Sequence, residues 1–118
     1  MKQQFRLRRS SDITRVRREG KSYANLFMVM FVLPDSRHPY PRVGISVSRR
    51  LGNAVRRNRI KRRLRACCDQ VLPCLEPGWD ILVVARQPLG EREVSFADLQ
   101  SAVSELFVHA GLLNNDGC

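Results

Sequence analysis

No acidic residue falls between Asp35 and Asp69 in this 118-residue chain. The gap holds Arg37, Arg42, Arg49, Arg50, Arg56, Arg57, Arg59, Lys61, Arg62, Arg63 and Arg65, eleven positive charges with no local counterion. Long apolar runs are also missing. The longest, Leu26 to Leu33, has eight residues, and a membrane-spanning helix needs about 20. The N-terminal Met1-Lys2-Gln3-Gln4-Phe5-Arg6 has no apolar core of the kind a secretory signal carries, so a cytoplasmic protein is expected. Metal-ligating residues are few and dispersed. The two histidines, His38 and His109, are far apart, and none of the four cysteines stands at C-x-x-C spacing. A zinc site needs four converging ligands, so no metal site is expected. Cys67, Cys68 and Cys74 read as reduced thiols of the 53–74 region, and Cys118 as an exposed terminal thiol.

What is present is enough for a folded domain. Hydrophobic residues make up 43% of the chain, too many for a disordered basic tail. A single domain over 1–118 is expected, with 1–9 a flexible basic lead and 112–118 a disordered tail. The net charge is +10, from 21 Lys and Arg against 11 Asp and Glu. Outside the acid-free gap there are 10 basic and 11 acidic residues, so the whole excess sits in one segment. A domain that turns one face to a polyanion has this distribution.

The elements follow from period and punctuation. Ser10 or Ser11 is placed to cap a short helix that Gly20 ends; Ile13 and Val16 are its apolar edge, and Arg15, Arg17 and Arg18 its basic surface. Residues 22–33 read as a strand, with a possible split. Phe27, Val29 and Phe31 share one face, and Met28, Met30 and Val32 the other. Residues 34–41 are a loop. Residues 42–48 alternate, Val43, Ile45 and Val47 against Gly44, Ser46 and Ser48; the small face suits a close neighbour, a packed helix being the expectation. Residues 53–72 form an amphipathic helix with Asn53 as N-cap, Ile60, Leu64, Cys67, Cys68 and Val71 as its stripe, and Pro73 as its stop. Residues 79–85 are a buried strand, and Pro88 and Gly90 mark a loop. Ser95-Phe96-Ala97-Asp98 opens the last helix as a capping box, with Val94 and Leu99 as a staple. Its core stripe is Leu99, Val103, Leu106 and Ala110. The expected class is α/β, a single-domain two-layer sandwich in the order α-β-β-α-β-α with a mixed sheet.

The 53–72 helix carries the functional signal. Arg59, Arg62 and Arg65 lie opposite its apolar stripe, with Arg56 and Arg63 on one flank and Lys61 on the other. Like charges meet at Arg56–Arg59, Arg59–Arg63 and Lys61–Arg65, each pair costing about 0.2–0.5 kcal/mol in an isolated helix. First-turn cations oppose the helix dipole as well. Nine basic residues among the seventeen from Arg49 to Arg65 make sense if a nucleic acid neutralises them. Arg57 shares the stripe, so its stem packs at an edge while its head reaches out. Asn58 lies away from the stripe, free to meet a sugar or a base edge.

The run Arg42-Val43-Gly44-Ile45-Ser46-Val47-Ser48-Arg49-Arg50-Leu51-Gly52-Asn53-Ala54-Val55-Arg56-Arg57-Asn58-Arg59-Ile60-Lys61-Arg62 closely resembles the signature of the bacterial ribonuclease P protein family. Arg57-Asn58-Arg59 followed by Lys61-Arg62 is its centre. The likeness continues in Arg6-Leu7-Arg8 and in Trp79-Asp80 leading into 81–85. It implies a compact α/β sandwich with a left-handed strand–helix–strand crossover, where general topology favours a right-handed one. It implies a small basic protein that binds a catalytic RNA subunit. The RNA, with Mg²⁺, cleaves the 5′ leader from precursor tRNA, so the protein itself holds no cofactor, no catalytic residue and no obligate protein partner. By this likeness Arg49, Arg50, Asn53, Arg56, Arg57, Asn58, Arg59, Lys61, Arg62 and Arg65 are the candidate RNA-binding residues. A cleft between the first helix and the sheet would hold the leader, lined by Ile13, Arg17, Phe27 and Phe31, favouring precursor over mature product. The family usually has aromatics on the first helix, where this chain has Ile13 and Arg17.

Three rival readings differ in what they require. A protein-only nuclease needs carboxylates or histidines gathered around a metal, and the acids here are scattered. A ribosomal or generic RNA-binding protein fits the charge equally well and lacks only the signature. A membrane-surface helix needs a broad exposed apolar face, whereas this stripe is narrow.

Overall fold

The computed structural model describes residues 1–35 and 37–114; Cys118 and residues 115–117 of the expected tail lie outside the described residues. Its elements are α1 (Ser10–Glu19), β1 (Lys21–Ala24), β2 (Met28–Pro34), β3 (Arg42–Ser46), α2 (Ala54–Val71), β4 (Trp79–Ala85), α3 (Pro88–Glu91) and α4 (Phe96–His109). Short 3-10 turns cover Gln3–Phe5, Arg49–Leu51 and Leu72–Cys74. The long strand does split. Asn25 Oδ1 accepts from the backbone N–H of Phe27 at 3.0 Å and of Met28 at 3.1 Å, a side-chain turn that reverses the chain. Phe27 therefore leaves the strand.

The four strands form a mixed sheet in the order β1-β2-β4-β3. β2 is antiparallel to β1 and to β4, and β3 runs parallel to β4, so α2 is the crossover between two adjacent parallel strands. One sheet face carries Met28, Met30, Val32, Val43, Ile81 and Val83, all at most 3% exposed. It packs against the stripes of α2 and α4 as the main core. On α2 the buried residues are Ile60, Leu64, Cys67, Cys68 and Val71, the stripe the period predicts. On α4 they are Leu99, Ala102, Val103, Leu106 and Phe107. Ala102 and Phe107 widen the expected stripe because α4 packs on both α2 and β1.

The other sheet face is only half covered. Leu7, Val16 and Leu82 are buried there, with Ile13, Phe31, Leu33 and Val84 partly exposed around them. α1 lies across this face, and Val16 is its one buried residue. The small-residue face of β3 receives the N-terminal segment and not a helix. Leu7 N–H donates to the Val43 carbonyl at 3.0 Å, and Arg6 bridges Val43 in parallel. A Cβ on Gly44 would stand 2.9 Å from the Leu7 carbonyl oxygen, so only glycine admits this approach.

The caps divide. Asn53 Oδ1 accepts from Arg56 N–H at 2.9 Å, and Ser95 Oγ accepts from Asp98 N–H at 3.1 Å, as the sequence predicts. α1 has no side-chain cap: Arg9 occupies that position and Ser10 is already helical. The short helix α3 occupies the expected 88–90 loop.

Candidate nucleic-acid interface

α2 presents its charges as a free surface. Asn58, Arg59 and Arg62 are exposed; Arg56, Arg57, Lys61, Arg63 and Arg65 are half-buried. Of the nine basic residues from Arg49 to Arg65, only Arg59 meets a carboxylate among the described residues, Glu93 Oε1 at 2.6 Å. That contact raises the basicity of Arg59 and holds the Glu93 carboxyl below its ordinary range. The sequence shows no acid inside the segment; the fold brings this one from the loop before α4. Arg63 is engaged differently, donating to the Val94 carbonyl. A shallow cleft beside the helix is lined by Val55, Asn58, Lys61, Arg62 and Arg65.

The loop ahead of α2 is fixed in place. Arg49 and Arg50 are exposed on a 3-10 turn anchored by Leu51, which is buried. Gln87 Nε2 donates to the Arg50 carbonyl at 3.2 Å. Gly52 follows at φ 137°, a conformation that favours glycine, and so aims the chain into the helix. Asn53, a candidate RNA contact, already spends its side-chain oxygen on the cap.

The second candidate site is the half-open sheet face. Phe31, Leu82 and Gly44 pair in one row across β2, β4 and β3. The N-terminal segment covers Gly44 and α1 covers Leu82, which leaves Phe31 partly exposed beside Ile13. The Arg17 guanidinium carbon lies 5.9 Å from the Phe31 ring centre, within cation–π range. Ile13, Arg17 and Phe31 are thus brought together. Phe27 is not with them: it packs against the main core, beneath Arg92 at 5.7 Å, because the Asn25 turn takes it out of the strand.

Around Asp80 lies an ion cluster that charge counting does not reveal. Asp80 sits on β4 opposite Arg42 of β3 and is 1% exposed. It accepts from Arg42 Nε at 2.9 Å and Nη2 at 2.8 Å, and from Arg15 Nη2 at 2.7 Å. Asp35 is buried too, accepting from Arg37 at 2.6 Å and Arg15 at 3.3 Å. The Arg37 hydrogen bond holds the Asp35 carboxyl well below the usual carboxylate range, against the opposing effect of burial. Asp12 of α1 completes the group, 3.8 Å from Arg15 and 3.7 Å from Arg42. Arg15 therefore points into the fold, where the sequence places it on the helix surface. Arg37 and Arg42, counted with the free charge of the gap, are engaged. The available signal was a lone aspartate inside an apolar strand, since a buried charge needs a partner.

No group of three or more His, Cys, Asp or Glu among the described residues is arranged to hold a metal ion; the clustered carboxylates face guanidinium groups. Cys67 and Cys68 are buried free thiols, whereas Cys74, expected to be reduced, is disulfide-bonded. Burial pushes Cys67 up to about 11 and Cys68 higher still, so both stay protonated at neutral pH. No helix among the described residues is long and apolar enough to cross a membrane.

Comparison with known proteins gives a consistent result. The family model described as Ribonuclease P matches residues 1–111. The ribonuclease P protein component of Geobacillus kaustophilus is 36% identical over 117 residues, covering 99% of this chain and 95% of that protein. That of Roseiflexus castenholzii is 39% identical over 113 residues, covering 96% and 91%. Among solved structures, the Staphylococcus aureus RNase P protein superposes with a TM-score of 0.84 at 32% identity, covering 93% of this chain and 98% of that one. The Thermotoga maritima RNase P protein gives 0.78 at 33% identity, covering 86% and 93%.

Proposed function

This chain belongs to the bacterial ribonuclease P protein family, and from that premise we propose how its two surfaces divide the work of the holoenzyme. As the protein component of an endoribonuclease it associates with the ribonuclease P RNA. The face of α2, with the Arg49–Arg50 turn, binds that RNA through Arg56, Arg57, Asn58, Arg59, Lys61, Arg62 and Arg65, with Asn53 fixing the start of the helix. The half-open sheet face holds the single-stranded 5′ leader of precursor tRNA, lined by Ile13, Arg17 and Phe31, while Phe27 lies on the main-core side and takes no part. The bond cleavage belongs to the RNA and its Mg²⁺. This chain's convergent carboxylates, Asp12, Asp35 and Asp80, do not fit a metal because their oxygens face the guanidinium groups of Arg15, Arg37 and Arg42. The protein works in the cytoplasm, with no membrane or obligate protein partner.

One observation carries the reading: eight of the nine cations on the α2 segment have no carboxylate partner among the described residues. Such a surface is costly alone and is stabilised by a polyanion. The leader assignment is supported by the open apolar floor at Phe31 and by Arg17 above it, since ring stacking and phosphate pairing both tolerate any base sequence. Leader binding should accordingly be more salt-sensitive than stacking alone makes it.

The test is reconstitution with the RNA subunit across a salt series. About five phosphate contacts should give a log–log slope of roughly −3.5 to −4.5, and Arg62→Ala should flatten it by about one. A slope near zero would sink the α2 assignment. In the same complex, a photoreactive leader nucleotide should crosslink to α1 or β2. Attachment confined to residues 49–65 would remove the cleft and leave the helix assignment standing.

A further inference from the structure

The basic face of α2 runs beside one large apolar side chain that the core does not use. Phe96 is the first residue of α4, directly after the Ser95 cap, and is 40% exposed. The residues that α4 buries begin one turn later, at Leu99. Phe96 stands at the open end of that stripe and lines a shallow groove with Arg59, Arg62, Arg63 and Ala66. A lone exposed phenylalanine is ordinary; this one is set among three guanidinium groups. Ala66 is the one small side chain in this lining. Glu93 is engaged by Arg59. Arg63 is held by the Val94 carbonyl, which leaves Arg62 free among the described residues.

A flat apolar face between cations suits one kind of nucleic-acid element. In a duplex the bases are already stacked on one another and offer no free face. An unpaired nucleotide offers both a base face for the ring and a phosphate on either side for the guanidinium groups. We propose that the groove between α2 and the start of α4 binds an unpaired nucleotide of the RNA subunit, its base stacked on Phe96 and its phosphates beside Arg59 and Arg62. This rests on the assignment of α2 to that RNA. It adds a contact from outside the α2 segment, one that reads the local structure of the RNA and not only its charge.

The experiment compares Phe96→Ala, Phe96→Leu and Phe96→Trp with Arg62→Ala, each bound to the RNA subunit at fixed salt and across a salt series. Thermal melting of each free protein checks its fold. Stacking predicts that Ala and Leu both weaken binding about five- to tenfold, while Trp retains it. The salt slope should stay unchanged for all three, because no charge is lost. Phe96→Trp should show fluorescence quenching on RNA binding beyond that of the unsubstituted protein, whose one tryptophan is Trp79. Leu binding as well as Phe would overturn stacking and leave the ring a packing residue. Full affinity for Ala, with Arg62→Ala still weakened, would overturn the groove and keep the α2 assignment. Unchanged binding for Arg62→Ala as well would overturn both.

Discussion

The face of α2 and the underside of α1 are both built on arginine, and they treat its charge in opposite ways. On α2, Arg62 is exposed and has no carboxylate partner among the described residues, and Arg59 alone of its segment is paired. Under α1, Arg15 and Arg42 converge on Asp80 and lie close to Asp35 and Asp12. The first surface stores repulsion that a polyanion relieves; the second has relieved it internally. The same residue type thus serves recognition in one place and architecture in the other, and the position of the acids decides which. The ion cluster also bears on the leader site. α1 buries only Val16, so Arg15 and Asp12 supply much of what holds the helix over Phe31.

The largest effect should come from breaking the internal pairing. Asp80→Ala leaves Arg42 and Arg15 facing a buried site without their main acceptor, and should cost about 3 kcal/mol of folding stability. Arg62→Ala, on the free surface, should change stability by less than about 0.5 kcal/mol while weakening RNA binding. Denaturant unfolding of the two variants measures both. Equal, small losses would mean that the two arginine groups do not differ in kind.

A smaller effect separates the regions by pH. Because Arg37 holds the Asp35 carboxyl below its ordinary value, its contribution to stability is fully present above about pH 4, the unfolded value. It is lost as pH falls through the lower folded value. The stability difference between the unsubstituted protein and Asp35→Asn should therefore be constant from neutral pH to about pH 5 and shrink below about pH 4. A difference that grew on acidification would reverse the sign of this account.

The smallest effect lies where the two regions resemble each other. Glu93 gives Arg59 a partner of the kind that Asp80 gives Arg42, but both groups are exposed, so the pair contributes little to stability. Glu93→Gln should leave the melting temperature nearly unchanged and tighten RNA binding by about twofold, by removing one negative charge from a surface that binds phosphate. Titration at low salt reads this, and weaker binding would mean that Glu93 positions Arg59 for the RNA.

The basic face was legible because helical period is local. Ile60, Leu64, Cys67, Cys68 and Val71 are the buried residues of α2, and everything opposite them had to face outward. The Asn53 and Ser95 caps were legible for the same reason: each bond spans three residues. Phe27 was misplaced because alternation carried the strand through Asn25, whose side chain reverses it. The missing cap of α1 shows a limit of the same kind, since two adjacent serines do not say which one is already helical.

By itself, the sequence determined the class of fold, the helix that carries the charge and the family signature, because periodicity, capping and contiguous motifs involve residues close along the chain. Only the tertiary structure decided which arginines remain free. Asp80 meets Arg42 across 38 positions and Arg15 across 65, and Glu93 reaches Arg59 across 34. It also decided that one sheet face would be sealed by α2 and α4 and the other left half open beneath α1, since both faces of β2 are apolar in sequence. Coulomb energy depends on distance in space, and a chain can close a carboxylate onto a guanidinium from anywhere along its length.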